Sequence, residues 1–253
     1  MTCDSNVETE HDAKILQWPF DHVLVGVDGT APALEACRQA VRVAAPGTPI
    51  ELAAAAHLVK AIRTGHNAAR IARELRDDAE RALVEAARVV GPRARPHFLN
   101  GPPTDALLLE RERTGASLMI VGSHGHRRTT EILIGGVAGE LLHVAPCSVL
   151  IARSPADPAR FPSSIVAGFD GSPPSTTGLA VARQLASRLG ARVSVIENVA
   201  EPVAALVAAS HTADLVVVGS RGLTGIRALG SVSERVAHHA LCSVLVVRPR
   251  GTG

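Results

Sequence analysis

The stretch Ser117-Leu-Met-Ile-Val-Gly-Ser-His-Gly125 returns later in the chain as Asp214-Leu-Val-Val-Val-Gly-Ser-Arg-Gly222. Each copy is a continuous apolar run closed by glycine. A strand covered on both faces reads this way, because neither of its sides alternates with polar residues. Three further landmarks recur in the same order on either side of it. Gly26-Val27-Asp28-Gly29-Thr30 returns as Gly168-Phe169-Asp170-Gly171-Ser172, Pro103 ahead of an Ala-Leu stretch returns as Pro202, and Cys147-Ser-Val-Leu-Ile-Ala-Arg153 returns as Cys242-Ser-Val-Leu-Val-Val-Arg248. The chain holds two copies of one unit, and a repeat decides architecture before any single element does.

The copies lie 142 residues apart at the aspartates (28 and 170), 99 at the prolines (103 and 202), 97 at the glycines (122 and 219) and 95 at the cysteines (147 and 242). The second unit has therefore lost most of its length between its first strand and its proline helix. In the first unit, strands are expected over 22–28, 50–59, 95–99, 117–122 and 148–152, and helices over 32–45, 67–90, from Pro103 and over 136–145. The longest helix carries Ile71, Leu75, Ala79, Leu83, Ala86 and Val90 on one stripe, the spacing of an amphipathic helix. Alternating strands and helices predict a parallel sheet with helices on both faces. Between Gly171 and Pro202 the second unit has room for one helix (177–189) and one strand (192–197), so the long helix and one strand are missing. The expected division is an N-terminal extension at 1–19, a complete domain at 20–154, a proline-rich linker at 155–162 and a shortened domain at 163–249.

Composition excludes several function classes. With 46% apolar and 20% charged residues in 253, the chain can bury a sizeable core. A net charge of +2 gives no strong electrostatic case for nucleic acid or a membrane surface, and four Phe, one Trp and no Tyr cannot build base-stacking platforms. The four cysteines are scattered and form no C-x-x-C pair, so neither a zinc site nor a disulfide framework is expected. The polar N-terminus and the absence of any long apolar run point to a cytoplasmic protein without a membrane span.

The segment that bears on chemistry is Gly122-Ser-His-Gly125, nine residues, then Gly135-Gly136 opening a helix. Glycines beyond a parallel strand let backbone approach a ligand, and a helix N-terminus offers free N–H groups to phosphate. Such a ligand sits outside the carboxyl ends of the strands, where Asp28 also falls. A glycine-bounded turn with no ligand is the competing reading. No P-loop, no G-x-S-x-G elbow and no nucleophile with its base is present. His124, His126, His238 and His239 come from separate units without a carboxylate or Cys to complete a metal set.

Taken together, the Val-Asp-Gly-Thr strand end, Gly-x2-Gly-x9-Gly before a helix and Pro-Cys-Ser-Val-Leu in a final strand resemble the universal stress protein domain. The resemblance spans residues 20–153 and 163–249, a tandem pair with the second copy shortened. It implies α/β, doubly wound, Rossmann-like domains of strand order 3-2-1-4-5, the second lacking one strand and one helix. It also implies an ATP pocket, with Mg accompanying the nucleotide, at the carboxyl edge. By position, Asp28, reached through Gly26 and Val27, meets the adenine or ribose edge, while Leu58 on the second strand and Val121 flank the base. Gly122, His124 and Gly125 follow the ribose and phosphates, and Gly135, Gly136 and Val137 meet the phosphates. Family members that bind ATP usually carry hydroxyls where this chain has Gly136 and Ala138, so weaker phosphate binding is implied. The second unit has only seven residues between Gly222 and Gly230 and Asn198 at the base-flanking position, so the nucleotide is expected in the first. Pairing of the two domains through their last strands is implied as well, and a further homodimer by analogy. Three functions stay open: a nucleotide-binding stress or regulatory module, a pseudodimeric interaction scaffold without nucleotide, and an adenylating enzyme, whose characteristic loops are missing.

Overall fold

The computed structural model describes residues 18–58, 67–124, 134–220 and 231–249. Among these, the first half runs β1 (Val23–Gly26), α1 (Ala31–Val43), β2 (Ile50–Ala56), α2 (Ala68–Val90), β3 (Ala94–Asn100), α3 (Pro103–Thr114), β4 (Leu118–Gly122), α4 (Gly136–Val144) and β5 (Ser148–Ala152). The second half runs β6 (Ser164–Phe169), α5 (Pro173–Leu189), β7 (Arg192–Glu197), α6 (Pro202–Ala209), β8 (Leu215–Gly219), α7 (Ser231–His239) and β9 (Ser243–Val247). After β7 the chain passes directly to α6, so the counterparts of α2 and β3 are the two elements the second half lacks.

All nine strands form one sheet in the order β3-β2-β1-β4-β5-β9-β8-β6-β7. Every neighbouring pair is parallel except β5 with β9, which runs antiparallel with Val149 opposite Val246, Leu150 opposite Leu245 and Ile151 opposite Val244. Helices cover both faces. One apolar layer joins the sheet to α1, α2 and α5, the other joins it to α3, α4, α6 and α7. The central strands β4, β5, β8 and β9 are buried along nearly their whole length, as their unbroken apolar runs require.

Local chemistry sets the ends of these elements. Asp28 Oδ1 accepts from the Thr30 amide at 3.1 Å and from the Thr30 hydroxyl at 2.6 Å, while Gly29 takes the left-handed conformation at φ +78°. This Asx turn breaks the strand and launches α1. Asp170, Gly171 and Ser172 repeat it at the start of α5, with the Ser172 amide donating to Asp170 Oδ1 at 3.0 Å. Hydrogen bonds from Ser172 and Ser175 hold the Asp170 carboxyl below its usual range.

Two arginines cross the β5–β9 seam in opposite directions. Arg153, just past β5, donates through Nη1 to Cys242 O at 3.2 Å and through Nη2 to Ala237 O at 2.6 Å, on the last turn of α7. Arg248, just past β9, donates through Nη2 to Leu142 O on the last turn of α4. Each half thus caps the carbonyl end of the other half's last helix with a cation, where the helix dipole is negative. Burial pulls the Arg153 guanidinium down to about 10.

The end of β2 differs from the sequence reading. β2 stops at Ala56, opposite Asn100 on β3, and Leu58 lies beyond the strand rather than on it. There Gly101 N donates to Ala56 O and the Asn100 side-chain oxygen receives the Leu58 amide at 3.4 Å, which ends the ladder.

Candidate functional site

The carboxyl ends of β1, β2 and β4 open into a cleft of about 760 Å³, within the usual range of small-molecule sites. The turn after β1 supplies Gly26, Val27, Asp28 and Thr30. β2 lays a floor of four alanines, Ala53 to Ala56, and His57 follows just past its end. Val121, Gly122 and His124 come from the end of β4, and Gly135, Gly136, Val137 and Ala138 from the start of α4. The walls are Leu75, Asp78 and Ala79 of α2 with Pro103 and Leu107 of α3.

Most of the residues picked out by sequence therefore meet in one place. Leu58 does not: it packs against the apolar layer under α1 and α2, and His57 holds the rim. Gly125 lies outside the described residues. Sequence reasoning missed the alanine floor and the α2 wall. The run Ala53-Ala54-Ala55-Ala56 is a signal that could have been used, since four small side chains at a strand's carboxyl end leave room above it.

Gly122 also has a packing purpose. A Cβ there would lie 2.7 Å from the Pro32 carbonyl carbon and 2.9 Å from the Ala33 nitrogen. The first turn of α1 closes on this glycine, which also lines the cleft. Gly219 repeats the contact, with a Cβ placed 2.1 Å from Pro174 O. At Gly136 nothing lies within 4 Å of a built Cβ, so the missing side chain there is open space at the head of α4.

The electrostatics suit an anion at one end of the cleft and a hydrogen-bonding group at the other. Gly135 sits at the N-cap of α4, its amide donating to Ser123 O at 2.7 Å, and no side chain caps the following amides. Uncapped first-turn amides carry the positive end of the helix dipole. The Asp28 carboxylate sits at the β1 end, with His57 and His124 on the rim between. The Ser123 hydroxyl and His124 Nδ1 are 3.0 Å apart. Among the described residues lining the cleft, the side-chain hydroxyl is that of Thr30, already given to Asp28. The arrangement can bind and orient a ligand.

Elsewhere, burial drives the Cys37 and Cys242 thiols up to about 12 and raises Cys147 as well, so these three are packing residues rather than reactive ones. No cluster of three or more His, Cys, Asp or Glu suited to a metal occurs among the described residues, and no described helix is long and apolar enough to cross a membrane.

In the second half the Asp170 turn and the Gly219 contact persist, but the wall that α2 provides has no counterpart. Asn198 takes a left-handed φ of +55° and turns the chain straight toward α6. Gly222 and Gly230 lie outside the described residues.

The sequence profile of the universal stress protein family matches residues 19–153 and 196–248. A universal stress protein of Mycolicibacterium smegmatis is 28% identical over 287 residues, covering 90% of this chain and 97% of that protein. One from Mycobacterium tuberculosis is 29% identical over 226 residues, covering 70% and 76% respectively. Among solved structures, a universal stress protein from Archaeoglobus fulgidus superimposes with a TM-score of 0.71 at 20% identity, over 91% of this chain and 98% of that one.

Proposed function

The chain belongs to the universal stress protein family, and from that premise we propose that its complete half binds an adenine nucleotide in the cleft above β1, β2 and β4. The protein then acts as a stress-response or regulatory module, with nucleotide changing its conformation or partners rather than turning over rapidly. The observation that carries this reading is the convergence, in a single cleft, of the Asp28 turn, the end of β4 and the uncapped start of α4. Asp28 would accept hydrogen bonds from the ribose or adenine, the alanine floor would admit the flat base, and the α4 amides would meet phosphate. Asp28 and Asp78, the latter paired with Arg81, are the carboxylates lining the cleft and would be the ones to hold a magnesium ion carried by ATP. The shortened half, without the α2 wall, is the poorer binder.

A second reading, a scaffold that binds no nucleotide, draws on Gly136 and Ala138, where side-chain hydroxyls are absent. One experiment separates the two. Purified protein is denatured and its supernatant assayed for adenine nucleotide, and ATP is titrated by calorimetry into the wild type and Asp28→Ala. The expected result is one nucleotide per chain, weakened about tenfold or more in the variant through loss of a charge-assisted contact. An absence of both released nucleotide and heat at millimolar ATP would leave the scaffold reading standing. Two nucleotides per chain would overturn the assignment to the first half.

A further inference from the structure

A groove of about 590 Å³ runs along one side of α5, where that helix meets the segment leading into β1 and the end of β9. Thr177, Val181 and Gln184 form its α5 wall, and Trp18, Phe20 and Val247 line it as well. Spacings of four and three put the α5 side chains on one stripe of the helix. The groove shares no residue with the nucleotide cleft.

The repeat identifies what crosses such a helix. At the 142-residue offset Glu35, Gln39 and Arg42 of α1 correspond to Thr177, Val181 and Gln184 of α5. Phe161, in the segment entering β6, corresponds in the same way to Pro19, in the segment entering β1. On α1, Arg42 Nε donates to Phe161 O at 2.9 Å, and Phe161 is 1% exposed. On α5, Gln184 and Pro19 both line the groove, and the Arg188 guanidinium lies 5.9 Å from the Trp18 ring. The segment entering each half's first strand therefore lies on the other half's first helix. Glu35 and Gln39 are long, buried side chains that fill the space beside α1. Thr177 and Val181 are shorter, and the space beside α5 stays open.

What precedes the two segments differs. Ahead of Phe161 stands the linker from β5, whereas ahead of Trp18 stand residues 1–17, which lie outside the described residues. Trp18 is thus where this N-terminal arm joins the groove. From Arg188, beside Trp18, back to Val181 the helix covers about 10 Å, the length of about three residues of extended chain. That distance brings Ile15 and Leu16, the arm's adjacent large apolar residues, level with Val181. Residues 1–14 carry Asp4, Glu8, Glu10 and Asp12 against Lys14. Helix α5 carries Arg183 and Arg188, both exposed, and no acidic residue. The arm and the helix are complementary in charge as well as in apolar surface.

We propose that this groove is the docking surface for the chain's own N-terminal arm, with Ile15 and Leu16 seated against Val181 and the acidic residues of 1–14 carried past the arginines of α5. The arm fills beside α5 the space that Glu35 and Gln39 fill beside α1. It ties the leading segment of the first half to the first helix of the second, independently of nucleotide.

The chain's two lysines are Lys14 and Lys60, so a lysine-specific endoproteinase reads the arm directly in the full chain. The rate of cleavage after Lys14 is measured against that after Lys60 in the same digest. The protease needs an extended stretch around Lys14, so a docked arm must leave the groove before it is cut, and the rate tracks the open fraction. Val181→Arg, which fills the groove, is expected to raise the ratio of the Lys14 rate to the Lys60 rate about tenfold. Should Val181→Arg fail to fold by circular dichroism, the half-buried Gln184→Glu, which sets a like charge beside the arm, carries the comparison by itself. A ratio that is the same in the wild type and the folded variants overturns the proposal. So does a Lys14 rate that falls as the protein concentration rises, because the groove then takes the arm of a second copy.

Discussion

A methyl group on Gly122 would press against the carbonyl carbon of Pro32 and the nitrogen of Ala33, and backbone cannot step aside as a flexible side chain can. Gly122→Ala is therefore expected to lose about 1–3 kcal/mol of stability, read from the urea midpoint. Gly136→Ser meets no atoms and is expected to leave that midpoint nearly unchanged, while a hydroxyl facing phosphate adds about 1 kcal/mol, or about fivefold in ATP affinity; equal affinities in calorimetry would show that the hydroxyl points elsewhere. Asp214 offers a pH handle. Burial raises its carboxyl, but bonds from the Ser163 amide at 2.8 Å, the Ser163 hydroxyl at 2.7 Å and Ser164 outweigh that and hold it below its ordinary value. A depressed carboxyl contributes stability that is present above its unfolded value, about 3.9, and is lost as pH falls through the lower folded value. Asp214→Asn is thus expected to be less stable at pH 7, by about 1 kcal/mol, with the gap to wild type closing below about pH 4; a gap that stays constant with pH would refute this. Residues of this kind mark where sequence stops speaking. That Gly122 was needed at a strand end was readable from the repeat, but whether a ligand or α1 pressed on it depended on a crossing point that spacing alone does not contain.

The elements themselves were largely legible, because two copies of one pattern cross-check each other. The continuous runs at Leu118–Gly122 and Leu215–Gly219 announced buried strands, and the stripe from Ile71 to Val90 announced the long helix α2. The end of β2 was not legible: alanine continues a strand or leaves it equally well, and the stop at Ala56 comes from Asn100 and Gly101 on the neighbouring strand. For the same reason Leu58 was misplaced and His57 overlooked. The alanines of β2 carry their own test. Ala55 is half-buried on the cleft side of β2, so Ala55→Leu is expected to fill the floor and abolish ATP binding in calorimetry with little change in the unfolding midpoint. Retained binding in that variant would place the ligand away from β2. The α2 wall was missed because helix periodicity reports the buried stripe, whereas Asp78 reaches the cleft from beside it.

At the scale of the molecule, nine strands among the described residues form one continuous sheet, and the reciprocal arginines join each half to the other half's last helix. The two halves are accordingly expected to unfold together, with fluorescence and circular dichroism giving one coincident urea transition. Arg153→Met leaves Ala237 O and Cys242 O without their charged donor and is expected to cost about 2 kcal/mol or more; separate transitions in the wild type would show that the seam is weaker than its contacts suggest. The strand order within each half followed from the family resemblance, whereas the arginine exchange did not, since only the folded seam brings residue 153 to residue 237. One feature of that seam governs how the protein behaves on dilution. Residues 153–163 carry the chain from the end of β5 to the start of β6, so the meeting of β5 with β9 is an encounter within one molecule, at an effective concentration on the order of millimolar. Pairing of the halves then does not fall away at low abundance, and neither half can be traded for a strand from another protein without first breaking its own. A shortened second half can persist under those terms, because its tether keeps it beside the first whatever else it has given up.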